Sequence, residues 1–200
     1  FFLGTNLSEI MIMATAMTLG IGFPLNVMQL LWINIISDIF PGLALSVEEP
    51  EPDILDRPPR DSQAPLFSKG DFKRMAFDAA AITASSLGAY GYGLARYGGG
   101  ARAASLAFQS LTIGQLLNAY SCRSLNHSLF EGPPLPPNRY LNMAMAGSLG
   151  LQALTIWFPP IRRLLGVTPM SLMDLGVIGA ASLLSLSVIE TSKTSREKTP

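Results

Sequence analysis

An all-α membrane protein built as a bundle of six transmembrane helices is the fold class this sequence predicts, and three observations predict it. The 200 residues are 48% hydrophobic and only 14% charged, with a positive mean hydropathy, a balance suited to lipid rather than water. Six stretches, roughly 1–21, 27–47, 75–95, 103–121, 140–158 and 171–189, approach the ~20 predominantly apolar residues that a spanning helix needs. Breaks rich in glycine, proline or charge separate them. Fourteen basic and fourteen acidic side chains cancel, so no net field recruits nucleic acid. The single Cys122 cannot close an internal disulfide and has no metal-site spacing around it.

The first two stretches form a transmembrane hairpin over 1–47, because Gly20-Ile21-Gly22-Phe23-Pro24 between them is too short for anything but a tight turn. A polar, proline-rich loop follows over 48–73. The four-helix region 74–190 has a glycine turn at Tyr97–Ala101, a proline-rich connection at Arg123–Arg139 and a second break at Pro159–Pro169. A polar tail, 191–200, is expected to fray. Gly88, Gly91 and Gly93 in the third stretch are small enough to let helices approach closely. Asp78 and Asp174 lie near the ends of their stretches, where water or lipid headgroups can solvate them. His127 reads as a solvated loop residue. The chain opens at Phe1 directly in apolar helix, which leads to the expectation that it is a segment of a longer membrane protein.

Sidedness follows from Lys and Arg, which are retained on the cytoplasmic flank during insertion. With six spans, ten of the fourteen fall on one side, among them Arg57, Arg60, Lys69, Lys73, Arg123 and Lys193, and four on the other, Arg96, Arg102, Arg162 and Arg163. Loop 48–73 and the C-terminus are therefore expected in the cytoplasm.

Two spans carry a carboxylate near mid-depth, Glu9 in the first and Asp38 in the second. Each costs about 2.5–3.5 kcal/mol to insert and so needs a compensating partner. Asn6 and Glu9 share a face at a spacing of three, Asn34 and Asp38 at a spacing of four with Ser37 beside them, and the short hairpin brings the two faces together. Carboxylate, amide and hydroxyl oxygens without His or Cys suit a hard cation such as Ca²⁺, Mg²⁺, Na⁺ or K⁺. Pro41 removes the helical donor that the Ser37 carbonyl would accept from, and a carbonyl freed in lipid must be rebound by protein, water or an ion. A polar clamp between helices without an ion uses the same residues.

The run Gln29-Leu-Leu-Trp-Ile-Asn-Ile-Ile-Ser-Asp-Ile-Phe-Pro41, followed by Glu51-Pro-Asp-Ile-Leu-Asp-Arg-Pro-Pro-Arg60, resembles the sixth transmembrane helix and following loop of P-type cation ATPases, calcium pumps above all. Thr5-Asn-Leu-Ser-Glu9 is similar to their fifth helix, so the remaining spans correspond to helices seven to ten. The resemblance implies that Asn6 and Glu9, with Asn34, Ser37 and Asp38, are cation ligands. In the fourth span Thr112-Ile-Gly-Gln-Leu-Leu-Asn-Ala119 is similar to the eighth helix and places Gln115 at a further ligand position. Endoplasmic-reticulum-type pumps have Glu there and plasma-membrane-type pumps Gln; an amide lowers the negative charge of the site. Ile39 replaces a family glycine and Ser37 a family threonine.

The family's phosphorylated Asp-Lys-Thr-Gly-Thr motif, the actuator Thr-Gly-Glu and the fourth-helix ion motif do not occur in this sequence. The resemblance therefore implies the membrane part of a cation pump, embedded in lipid, with Ca²⁺ as the favoured transported ion. Mg-ATP would be used only by N-terminal pump domains outside these 200 residues, to which this region would be joined. The loop Glu48–Asp61 would either dock on the phosphorylation domain, as the family loop does, or serve as a stiff linker. Two other readings fit the same residues: an accessory membrane protein derived from a truncated pump, and a secondary cation transporter, for which internal repeats are expected and not found.

Overall fold

In a computed structural model the described residues are 1–49, 67–124, 129 and 136–197, with side chains described to Lys193. Most of loop 48–73, including the family-like Glu51–Arg60, together with His127 and much of the Arg123–Arg139 connection, lies outside them. Among the described residues every regular element is helical: α1 (Phe2–Thr18), α2 (Val27–Ile33), a π-helical segment (Asn34–Ile39), α3 (Phe40–Ser46), α4 (Lys69–Tyr97), α5 (Ala101–Ser121), α6 (Arg139–Trp157), α7 (Pro159–Leu165) and α8 (Leu172–Glu197). The α2, π and α3 segments run on without a break as one 20-residue rod, Val27–Ser46. That rod and Leu172–Lys193 are the two described helical stretches long and apolar enough to cross a membrane by length and composition.

The α1–α2 turn uses Gly20 and Gly22 at φ +66° and +95°, and Tyr90 of α4 reaches it with a 2.9 Å bond to the Ile21 carbonyl. Asn26 then caps α2 reciprocally with Gln29, so the second rod starts at a defined residue. Both side chains also donate to the Leu165 carbonyl, which ties the end of α7 to the start of α2.

α5 is the central helix. Its residues Ala103, Leu106, Ala107, Phe108, Leu111 and Leu116 are all fully buried, and α3, α4, α6 and α8 pack around it. Of the three glycines expected to permit close approach, Gly93 does so: a Cβ there would lie 2.7 Å from the Ala103 Cα, whereas Gly88 and Gly91 face open space. Hydroxyls and amides join helices inside the bundle, as in the bond from Ser182 of α8 to the Ser110 carbonyl and from Thr83 of α4 to the Ser8 carbonyl.

Three expectations change. Asp78 is buried in α4 rather than solvated. The tail does not fray at Thr191, since α8 stays helical through Glu197. Lys193, itself buried, anchors that turn by donating to the Ser121 carbonyl at 2.6 Å and to Glu190 at 2.9 Å. Asp174 is fully buried rather than solvated, because Tyr97 (2.7 Å), the Ser171 amide (2.8 Å) and Arg102 (3.5 Å) supply its partners. The break at Pro159–Pro169 contains α7, begun by two prolines whose missing N–H groups cost nothing in a first turn and ended by Gly166 in the left-handed region.

Candidate cation site

The site begins with the local consequence of a proline. An α-helix through Pro41 would leave the Ser37 carbonyl without a donor, as the sequence implies. The chain instead widens into π-helix over Asn34–Ile39 before Pro41 opens α3. In that register each carbonyl looks five residues ahead, so the donorless one belongs to Ile36, and the Ser148 hydroxyl of α6 takes it at 2.8 Å. In the π-helical segment the Ile36 carbonyl thus also lacks a helical donor, and Ser148 serves it. Widening also turns Ser37 and Asp38 inward, and both are buried.

α1 supplies the facing wall. Thr5, Ser8 and Glu9 are buried on it, while Asn6 sits on its exposed side and reaches Asp38 Oδ2 with a 3.1 Å bond. α5 closes the third side. The fully buried Gln115 donates through Nε2 to the Thr5 carbonyl (3.2 Å), Ser8 Oγ (3.1 Å) and Glu9 Oε1 (3.4 Å). Bonds therefore join Asn6 to Asp38 and Gln115 to Glu9, and Ser37 is buried next to Asp38 in the chain. Asn34 stands half-buried at the start of the π-helical segment with its amide donating to the Leu30 carbonyl, and no described bond joins it to the others.

Four buried oxygens here have no hydrogen-bond partner: Ser37 Oγ, Asp38 Oδ1, Gln115 Oε1 and Asn118 Oδ1. An unpaired buried polar atom costs about 1–3 kcal/mol, more when charged, so each of these is stabilised by a donor or a cation brought against it. Sequence reasoning does not single out Asn118 as a ligand, although it stands one turn after Gln115, a spacing that keeps two residues on nearby faces of a helix. It misses Thr5 and Ser8 as well, for lack of any signal beyond their place beside Asn6 and Glu9. Among the described residues no three His, Cys, Asp or Glu side chains gather. The donors are mixed instead, two carboxylates with neutral amide and hydroxyl oxygens, which is the chemistry of a hard, oxygen-preferring cation.

Comparison with known proteins identifies a family. The family model described as "Cation transporting ATPase, C-terminus" matches residues 22–195. Calcium-transporting ATPase 1 of Schizosaccharomyces pombe is 30% identical over 198 residues, covering 99% of this chain and 22% of that protein. Calcium-transporting ATPase 1 of Bacillus cereus is 29% identical over 213 residues, with 98% and 24% covered. Human calcium-transporting ATPase type 2C member 1 is 30% identical over 201 residues, with 99% and 22% covered. The chain thus spans less than a quarter of the length of these curated relatives. With a family match across most of its length, the chain belongs to the P-type cation-transporting ATPases, of which it corresponds to the C-terminal region.

Proposed function

We propose that these residues are the membrane-embedded part of an ATP-driven cation pump and hold the transported ion, with calcium favoured, between α1, the π-helical segment and α5. The observation that carries this reading is the set of unpartnered buried oxygens of Ser37, Asp38 and Gln115 beside the Glu9 carboxylate. Glu9 and Asp38 supply the charge, Ser37 and Gln115 neutral oxygens. Asn6 and Asn34 complete the set through their amide oxygens, because in each the nitrogen is already bound to a backbone carbonyl of its own helix. Ca²⁺ takes six to eight oxygens in flexible geometry, which a mixed set of this kind can meet. Calcium is also the ion in the names of the relatives.

In this reading six helices span the membrane: α1, the α2–π–α3 rod, α4, α5, α6 and α8. The helices that fall short on apolarity present buried polar side chains to one another, such as Ser86, Gln109, Ser110, Gln152 and Thr155, so composition understates their fit to lipid. Loop 48–73 and the C-terminus are cytoplasmic. Mg-ATP phosphorylates an aspartate in N-terminal domains outside this region, which alone hydrolyses no ATP.

The test is Asp38→Asn in the complete pump, read as cation-dependent phosphoenzyme formation. Losing one buried partner of a charge pair removes about 3 kcal/mol or more, so half-saturation by Ca²⁺ should rise on the order of 100-fold. Asp174→Asn, a buried carboxylate in the first turn of α8, controls for folding and should leave half-saturation within a factor of two or so. Near-normal Ca²⁺ dependence in well-folded Asp38→Asn protein would overturn the assignment.

A further inference from the structure

The polar face of α6 has no part in the ligand set, yet it grips the rod that carries half of it. Ser148, Gln152 and Thr155 are buried at the spacing of three and four that puts them on one side of α6. Ser148 Oγ donates to the Ile36 carbonyl at 2.8 Å, in the middle of the π-helical segment. One turn on, Gln152 Oε1 accepts from the Trp32 indole at 2.9 Å, two residues before that segment begins. Gln152 Nε2 donates to Gln109 Oε1 at 2.8 Å, and Gln109 to Thr155 Oγ1 at 2.6 Å, which carries the chain of bonds into α5.

This bonding meets a specific need. In π register the Ile36 carbonyl looks to the nitrogen of Pro41, which has no hydrogen. Left bare among apolar side chains, it would draw the backbone back toward α geometry with the Phe40 N–H as donor. Removing the extra residue from the turn rotates the rest of the rod by about 100°, the angle per residue of an α-helix, which is enough to take Ser37 and Asp38 off the site. A donor from a neighbouring helix removes that drive.

We propose that Ser148 and Gln152 are positioning residues of the cation site: Ser148 keeps the π turn open by occupying the Ile36 carbonyl, and Gln152 fixes the approach to that turn through Trp32. This rests on the cation-site reading above. It gives a role in ion affinity to a helix that contributes no ligand of its own.

The experiment measures equilibrium binding of ⁴⁵Ca²⁺ to the complete pump in lipid nanodiscs for Ser148→Ala, Ser148→Thr and Ser187→Ala. In Ser148→Ala the half-saturating Ca²⁺ concentration should rise about three- to tenfold, the range expected for one hydrogen bond between membrane helices, with the number of ions bound at saturation unchanged. Ser148→Thr keeps the hydroxyl and should restore the unsubstituted value. Ser187 bonds only within α8, and its substitution should change nothing. If Ser148→Ala does not fold, Gln152→Met, which keeps the length of the side chain but removes the acceptor for Trp32, should show the same rise. Unchanged half-saturation in a folded Ser148→Ala or Gln152→Met protein, or a Thr variant as weak as Ala, overturns the positioning role alone. Absence of saturable binding in the unsubstituted pump overturns the cation reading, and the positioning role with it.

Discussion

Gln115 shows how one side chain can serve two elements at once. Its amide hydrogens meet three oxygens of α1, and its own oxygen is left facing the interior without a donor. Gln115→Leu keeps most of the bulk and removes both functions. It should raise the half-saturating Ca²⁺ concentration of the complete pump about tenfold, equivalent to roughly 1.4 kcal/mol, in a ⁴⁵Ca²⁺ binding measurement. An unchanged value would mean that the oxygen faces no ion. Glu9 and Asp38 are legible in the sequence as carboxylates within apolar runs, and Gln115 through the resemblance of its stretch to the eighth helix. Asn118 carries no such signal, because an amide near the end of an apolar stretch is as easily a cap as a ligand. Its unpartnered oxygen emerges only when the helices around it are in place.

At the scale of elements, the positions of the helices can be read from runs of apolar residues, whereas the register within them cannot. Pro41 announces a disturbed turn, but α periodicity assigns the freed carbonyl to Ser37. The π-helical segment adds the Ile36 carbonyl, which Ser148 serves. The brace from α6 is equally hidden, since a serine and a glutamine one turn apart on a 19-residue helix carry no recognisable pattern until their partners on other helices are known. Packing of α4 on α5 offers a direct check of close approach. Gly93→Ala would place a Cβ 2.7 Å from the Ala103 Cα, a backbone atom that cannot swing away, so the two helices must separate. The expected cost is about 1–3 kcal/mol, read as a lower unfolding temperature in detergent. Gly88→Ala, with open space around it, should leave that temperature unchanged or slightly raised. Equal effects at the two positions would contradict the α4–α5 contact.

For the molecule as a whole, the bundle predicts sidedness. Single cysteines at Ser62 and Ser195 in a Cys122→Ser background should both label from the cytoplasmic face of sealed vesicles, because four spans separate them in the six-helix arrangement. Labelling on opposite faces would exclude an even number of spans between them. The bundle also closes around residues far apart in sequence: Gln115 and Glu9 are separated by 106 positions and Asn6 and Asp38 by 32. At ribosomal speeds of about 5–20 residues per second, Glu9 waits on the order of 5–20 s before Gln115 has been made. During that interval a carboxylate destined for the bundle interior has no α5 to shelter it. Nascent α1 is therefore expected to wait at the translocon or the lipid interface until the later helices arrive, so one interior carboxylate sets how late the bundle can close.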